Sequence, residues 1–227
     1  MVVCEVTRTR LLEAAGEEFA AKGFEAATVR AICERAGANL AAVNYHFGGK
    51  ESLYVEALLE AHRCGAALIS ASEFDTLAPA EQLARYIQHF LGNVLALRGE
   101  PTWHQALMLR EMLQPTRALE TLVDQSIRPR FERLIGILRR VCPEADDRKL
   151  SALAFSVIGQ CLHYKMAQPV SERLVGPEAY ARLDLEYLAG HITGFCLAAL
   201  GLAPPLNRAG VSREGKEPSA PVLQQRK

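Results

Sequence analysis

A short run of residues near the start of the chain, 40–50, combines small, apolar and hydrogen-bonding side chains. Val43 and Phe47 lie four positions apart, so a helix places both on one face, where they can be buried. The opposite face carries small side chains, which let a helix approach the edges of DNA bases closely, and Asn44, which can hydrogen-bond to a base. An alanine methyl group there can meet the methyl group of thymine. Donors suited to phosphate follow at the end of the run: Tyr45, His46 and Lys50.

The residues before this run predict a helix-turn-helix. Thr28 is a favourable N-cap for a helix whose apolar positions recur at helical spacing. Gly37 can adopt the left-handed conformation that ends a helix. Asn39 can cap the next helix, at about residues 40–46. A second helix presented in this way can enter the major groove, although the spacing alone fits any three-helix bundle.

These motifs resemble the DNA-binding domain of the TetR/AcrR family of bacterial transcription regulators. The resemblance runs from about Arg8 to about His62 and includes the run Tyr-His-Phe-x-x-Lys-x-x-Leu at 45–53. It implies a homodimer in which each subunit has an N-terminal DNA-binding domain and a larger helical domain that holds a small effector. Many members have an aromatic residue where this chain has Asn44, so their base preferences do not transfer. By position, the resemblance implies phosphate contacts from Thr28, Tyr45, His46 and Lys50, and places Arg30, Leu40, Ala41, Ala42 and Asn44 towards the bases.

The N-terminal segment is acidic, which is unusual for a DNA-binding module. Residues 1–62 contain six Lys or Arg and nine Asp or Glu, a net charge of −3, whereas such modules are usually basic. DNA binding therefore requires that opposite charges be segregated on the surface. The glutamates expected to face away from DNA are Glu13, Glu17, Glu18, Glu56 and Glu60, and the cations expected to face it are Arg8, Arg10, Arg30 and Lys50.

The chain as a whole predicts an all-α fold. Few stretches alternate with a period of two, and β-branched residues are sparse beside Ala, Leu, Glu and Arg. Pro129 lies inside one helical segment and predicts a kink or break there. Residues 203–227 are polar, basic and rich in proline, which predicts a disordered tail. Apolar residues recur at helical spacing near 7–22, from 50 onwards, and near 79–98, 102–113, 116–141, 147–167 and 184–200.

The last two long helical segments predict a dimer interface. Segments 150–166 and 184–200 carry more apolar positions than one buried face needs, which fits either an internal core or a four-helix bundle across a two-fold axis. The family resemblance favours a homodimer through helices near 147–167 and 184–200. Such a dimer places two recognition helices one DNA turn apart on a near-palindromic operator. The expected division is a helix-turn-helix DNA-binding domain at 1–50, an effector-binding and dimerisation domain at 51–202, and the tail at 203–227.

A segment in the middle of the chain, residues 102–115, predicts a pocket for a small-molecule effector. It combines aromatic and methionine side chains with a few polar groups, a mixture that lines ligand pockets. A core helix with solvated Arg110 and Glu111 fits the segment equally well. Segments 109–115 and 159–164 are also similar to a subfamily that includes the CecR-type regulators. The residues expected to line the pocket are Trp103, His104, Leu107, Met108, Arg110, Glu111, His163 and Tyr164.

Several other functions are disfavoured. The six cysteines are scattered, with no C-x-x-C pair and no Cys/His cluster at zinc spacing, so no metal or cofactor is expected. The sequence contains no catalytic motif such as G-x-S-x-G or H-E-x-x-H, so we expect no enzyme. It has no secretory signal and no apolar run of the ~18 residues that a membrane span needs, which predicts a cytoplasmic protein. Two functions remain: a ligand-responsive regulator acting as a repressor, and a DNA-binding dimer without a small-molecule effector.

Overall fold

Helices form all the regular structure in the residues that the computed structural model describes, 2–63, 74–95 and 102–204. The predicted all-α class is therefore confirmed. The tail predicted from residue 203 lies outside the described residues from position 205 onwards. The helices are α1 (Val2–Ala26), α2 (Val29–Ala36), α3 (Leu40–Phe47), α4 (Lys50–Arg63), α5 (Pro79–Leu95), α6 (Trp103–Leu113), α7 (Ala118–Leu122), α8 (Arg128–Val141), α9 (Asp147–Met166), α10 (Gln168–Val175), α11 (Pro177–Ala181) and α12 (Leu185–Ala199).

Helix α1 is longer than the sequence predicted, and Gly23 interrupts it. The φ of Gly23 is 78° and its ψ is 171°, a conformation that residues with a Cβ rarely adopt. The interruption lets Phe24 turn back onto the preceding helix, as the Gly-Phe pair predicts. The Phe24 ring lies 6.3 Å from that of Phe19 and 5.0 Å from that of Tyr54. The break therefore joins the end of α1 to α4.

The segment predicted as one helix at 116–141 is divided before Pro129. Helix α7 is followed by a π-helical turn, Val123–Ile127, and Pro129 lies in the first turn of α8. Proline has no backbone N–H, so it cannot continue the hydrogen-bond ladder of the preceding residues. The wider π-helical turn before Pro129 accommodates this missing hydrogen bond. In that turn the Arg128 N–H donates to the Val123 carbonyl, five residues earlier. The backbone at Val123, Ile127 and Arg128 stays right-handed helical, so the irregularity predicted at Pro129 takes the form of a π-helical turn rather than a break.

Two short helices, α10 and α11, were not predicted. Each has a proline in its first turn, Pro169 and Pro177. The first turn of a helix tolerates proline because its N–H groups have no partner within the helix. These prolines therefore begin helices.

The buried side chains form two hydrophobic cores. The first core combines α1–α4 with residues of α6 and α7, among them Leu107, Ala118 and Leu122. The second core lies within α5, α8, α9 and α12, and includes Leu91, Leu138 and Ile192. Helix α4 begins directly after α3 and packs against both α6 and α7. It therefore connects the first three helices to α6 and α7. Side chains on both sides of the predicted 50/51 boundary share the first core.

Candidate DNA-binding interface

Helix α3 buries one face and exposes the other. The Asn39 side chain accepts a 2.9 Å hydrogen bond from the Ala42 N–H and so caps the helix. Gly48 ends it with a φ of 80°. Val43 and Phe47 are buried in the first core, as the spacing predicts. The predicted base-facing positions of α3 are accessible: Leu40, Ala41 and Asn44 are exposed and Ala42 is half-buried.

Helix α2 begins at the predicted cap and carries an exposed arginine. Thr28 Oγ1 accepts a 3.2 Å hydrogen bond from the Ala31 N–H. Because the oxygen is the acceptor there, the hydroxyl hydrogen stays available to donate to a phosphate. Arg30 lies one turn before Glu34, and Arg30 Nε donates a 2.9 Å hydrogen bond to Glu34 Oε1. The sequence analysis missed this partner, although the i,i+4 spacing of opposite charges indicates it.

The three predicted phosphate donors at the end of α3 are supported by neighbouring rings. The Tyr45 side chain is 78% exposed, and its ring meets the His46 ring edge-on at 5.0 Å. Lys50 begins α4, where its Nζ donates a 3.3 Å hydrogen bond to the Glu25 carbonyl and lies 4.6 Å from the centre of the Phe24 ring. An ammonium has three donors, so this arrangement orients Lys50 and still leaves donors for a phosphate.

Most of the acidic residues of the N-terminal helices have side-chain partners. Glu18, although only 2% exposed, binds Lys22 Nζ at 2.6 Å, and Glu17 Oε2 lies 2.9 Å from Arg35 Nη1. Glu56 pairs with Arg8 at 2.8 Å. Arg8 was expected to project freely towards DNA, and this ion pair holds it against α4 instead. These ion pairs place opposite charges side by side on the N-terminal helices, but they leave the net charge of −3 unchanged. Of the other glutamates expected to face away from DNA, Glu13 accepts a hydrogen bond from the Trp103 indole and Glu60 pairs with Arg63.

Helix α6 is bound to α1 by two of the residues predicted to line a ligand pocket. Trp103 Nε1 donates a 2.7 Å hydrogen bond to Glu13 Oε2, and its ring covers Gly16 so closely that a Cβ there would overlap it. Arg110 donates 3.2 Å hydrogen bonds to the carbonyls of Ala20 and Ala21. Gly23 interrupts α1 just after these residues, and Arg110 caps the carbonyls at that interruption.

A third residue of α6, Glu111, is completely buried and binds α4. Tyr54 Oη donates to its Oε2 at 2.7 Å. The Thr116 N–H and hydroxyl donate to its Oε1 at 2.8 and 3.0 Å. Burial, and then the hydrogen bond to Glu111, raise the pKa of Tyr54. Tyr54 and Thr116 were not predicted as partners of Glu111. The one sequence signal for them was an acidic residue among apolar ones, which indicates that its carboxylate needs hydrogen-bond donors.

The residues predicted to line the pocket are divided between the two cores. Leu107 is buried in the first core, where Trp103 and Met108 also pack, and the His104 ring stacks on the Trp103 ring at 3.7 Å. Tyr164 packs against the second core instead, and His163 is exposed. Segment 102–115 therefore forms a helix packed on the first core, and Arg110 and Glu111 bind α1 and α4 rather than solvent.

Two clefts on the surface involve other residues. One of about 390 Å³ is lined by Glu144, Asp146, Arg148, Lys149 and Ala152. One of about 250 Å³ lies between the end of α3, α4 and the π-helical turn, and its lining includes Phe47, Val55 and Gln125. None of the eight predicted pocket residues lines either cleft. Over the described ranges, no three His, Cys, Asp or Glu side chains are grouped to hold a metal ion.

The far end of α4 contacts the π-helical turn through His62. Ser126 Oγ lies 2.5 Å from His62 Nδ1, and Arg130 Nη1 lies 3.3 Å from Nε2. An arginine can only donate, so Nε2 accepts and the proton of the neutral ring sits on Nδ1. Burial, and then the positive charge of Arg130, lower the pKa of His62 to about 4. The sequence analysis did not identify this contact.

Comparison with protein families agrees with this geometry. A family model described as bacterial regulatory proteins of the tetR family matches residues 11–57. The chain belongs to the TetR family of DNA-binding transcription regulators, with the helix-turn-helix in its N-terminal part. Its residues 79–200, more than half of the chain, match the C-terminal domain of the HTH-type transcriptional dual regulator CecR. It is therefore a TetR-family regulator with a CecR-type C-terminal domain, as the resemblance predicted.

The chain is also similar to individual transcription regulators. The chain is 26% identical to the dual regulator CecR of Shigella flexneri over 180 residues, which cover 72% of this chain and 78% of that protein. It is 29% identical to the transcriptional regulator UidR of Escherichia coli K12 over 111 residues, 49% of this chain and 53% of UidR. The crystal structure of the hemolysin II transcriptional regulator HlyIIR covers 84% of this chain and 98% of its own, with a TM-score of 0.57 and 21% identity. At that identity it supports the fold alone. The described helices include none that is both long and apolar enough to cross a membrane.

Proposed function

We propose that this protein is a homodimeric repressor that binds a near-palindromic operator and leaves it when a small molecule binds. The observation that carries the proposal is the exposed face of α3. Val43 and Phe47 fix the helix in the first core, while Asn44 and Tyr45 project outwards. A helix held in this way can enter the major groove without rearranging.

Two sets of side chains divide the DNA contacts. Those at the edges of the helix-turn-helix bind phosphates and fix its position, and those between them meet the base edges. The exposed hydroxyls of Thr28 and Tyr45 and the oriented ammonium of Lys50 suit the first set. The proposed phosphate contacts are Thr28, Tyr45, His46 and Lys50, and the proposed base contacts are Arg30, Leu40, Ala41, Ala42 and Asn44.

A homodimer through α9 and α12 is part of the proposal. Large apolar side chains on both helices remain exposed in the single chain: Phe155 is 63% exposed on α9, and Tyr187 and Phe195 are 59% and 47% exposed on α12. Burying such side chains against a second copy is favourable. The two-fold axis then relates two α3 helices, which is what a palindromic operator requires.

The effector response would travel along α4. This helix starts at Lys50, directly after α3, and ends at His62 and Arg63, where His62 contacts Ser126. A ligand that changes the packing of the 51–202 domain can therefore move α3, provided that it binds the DNA-free state more tightly. In this proposal residues 1–50 bind DNA and residues 51–202 hold the effector and the dimer interface.

The second candidate, a DNA-binding dimer without a small-molecule effector, also has support. The residues predicted to line the pocket are divided between the two cores, and three of them hold α6 to α1 and α4. An α6 held in this way suits a fixed orientation of the N-terminal helices. The two candidates differ only in whether a ligand releases the operator.

Selection of a random duplex pool with the wild-type protein tests DNA recognition. The expected logo has two inverted half-sites with centres about 10 base pairs apart. A logo without inverted symmetry would contradict binding as a dimer. The selected duplex, labelled for fluorescence anisotropy, then serves in a screen of small molecules for release. Release favours the ligand-responsive repressor, whereas affinity unaffected by any compound favours the second candidate.

Light scattering after size-exclusion chromatography tests the dimer. Phe195→Glu puts a charge into the proposed interface and should give monomers. Leu113→Glu is a matched control, because Leu113 is 69% exposed but lies on α6. A Phe195→Glu variant that stays dimeric would argue against an interface through α12.

A further inference from the structure

Arg30 and Glu34 on α2 form an ion pair that leaves part of the guanidinium free. The hydrogen bond of 2.9 Å joins Arg30 Nε to Glu34 Oε1. The terminal nitrogens Nη1 and Nη2 take no part in it. The two side chains are 83% and 67% exposed, so a DNA duplex can reach both.

This pair lies on the flank of α2 that faces away from α1. Arg35, about 140° around the helix from Arg30, reaches in the other direction to Glu17 of α1. Between the two flanks, Ile32 and Ala36 are buried in the first core. Arg30 is therefore held neither against α1 nor in the core, and within the described ranges of the chain its hydrogen-bond partner is Glu34.

The free edge of Arg30 matches the acceptors of guanine. Guanine presents O6 and N7 in the major groove, and an arginine reads them with two parallel N–H donors. Nη1 and Nη2 supply such a pair of donors. An exposed arginine without a partner samples many rotamers and loses that freedom on binding. The hydrogen bond from Nε to Glu34 restricts the Arg30 side chain before DNA binds and leaves Nη1 and Nη2 on the outer side.

The carboxylate of Glu34 also disfavours the binding of Arg30 to backbone phosphates. Phosphate contacts provide most of the affinity of a regulator for nonspecific DNA. A carboxylate beside Arg30 repels phosphates and lowers what the arginine gains from them. A guanine edge carries no net charge, so this repulsion is weaker at a base than at the backbone.

We propose that Glu34 positions Arg30 to read one guanine in each half-site of the operator. The proposal rests on the proposed function, in which Arg30 faces the bases. Glu34 is a positioning residue that acts through Arg30 and makes no base contact of its own. The operator must then have a guanine at the position that Arg30 reaches.

Three variants, selected on the same duplex pool as the wild type, test this role. Glu34→Ala should reduce the preference for guanine at one position of each half-site about tenfold, while affinity for an unrelated duplex rises. Glu34→Gln keeps an oxygen that accepts from Nε, so it should retain most of the preference. Glu17→Ala removes the same charge and another 2.9 Å arginine pair, and it should leave the logo unchanged.

The outcomes separate the two proposals. A wild-type selection that enriches no sequence overturns both. A wild-type logo that Glu34→Ala leaves intact, with affinity for all duplexes raised equally, overturns the positioning role alone and makes Glu34 a source of general repulsion. Equal loss of guanine in Glu34→Ala and Glu17→Ala also overturns it, because charge alone would then explain the effect. Melting temperatures of the variants confirm that each is folded.

Discussion

The hydrogen bond between Tyr54 and Glu111 should be one of the strongest single contributions to the stability of this protein. Replacing Tyr54 by Phe removes only the hydroxyl group, which lies 2.7 Å from Glu111 Oε2. The ring keeps its place, because its contacts with Phe19 and Phe24 at 4.8 and 5.0 Å involve the aromatic carbons. The change therefore tests one hydrogen bond without opening a cavity.

The expected cost follows from the burial of the acceptor. Glu111 is 0% exposed, so water cannot replace the lost donor. Hydrogen bonds to charged groups contribute about 1.5–3 kcal/mol, and a buried acceptor left without a partner costs a similar amount. Thr116 Oγ1 lies 3.3 Å from Glu111 Oε2 and can compensate in part. We therefore expect a loss of about 2 kcal/mol, which for a chain of this size lowers the Tm by about 4–8 °C.

Urea denaturation followed by circular dichroism measures this loss. Tyr45→Phe is the matched control, because the Tyr45 side chain is 78% exposed and should lose nothing measurable. A double-mutant cycle with Glu111→Gln then isolates the interaction between the two side chains. A loss below about 0.5 kcal/mol in Tyr54→Phe, within the range of surface substitutions, would refute the reasoning and imply that Thr116 satisfies the carboxylate alone.

Three further predictions concern packing, pH and DNA binding. Gly16→Ala should lower the Tm, because its Cβ would overlap the Trp103 ring and overpacking costs about 1–3 kcal/mol. Gly136→Ala should raise the Tm, because nothing lies within 4 Å of the new Cβ. Thermal melts compare the two variants. The pKa of His62 falls from 6.5 to about 4 on folding, so the unfolded chain binds more protons between these values and stability should fall as the pH drops from 6.5 towards 4. His62→Gln should flatten that part of the profile in urea titrations at several pH values. Tyr45→Ala should weaken binding to every duplex in anisotropy titrations at fixed salt and leave the Tm unchanged; undiminished affinity would exclude its phosphate contact.

The helix-turn-helix was predictable because its determinants are local. The caps at Thr28 and Asn39 act on N–H groups three residues away. Val43 and Phe47 are buried because the helical repeat puts them on one face. The π-helical turn before Pro129 follows from a missing donor on that residue alone. Even the ion pair of Arg30 is a matter of i,i+4 spacing, so it could have been read from the sequence.

The roles of the polar residues of α6 were decided by the tertiary structure. The partners of Trp103 and Glu111 lie 90 and 57 residues away in the chain, on helices that sequence periodicity cannot place beside α6. The contact of His62 with Ser126 spans 64 residues. Helical periodicity determines which face of an element is apolar, but not which element covers that face. The sequence therefore determined the fold class, the helix-turn-helix and the family, whereas only the packing of the first core assigned α6 to the N-terminal helices.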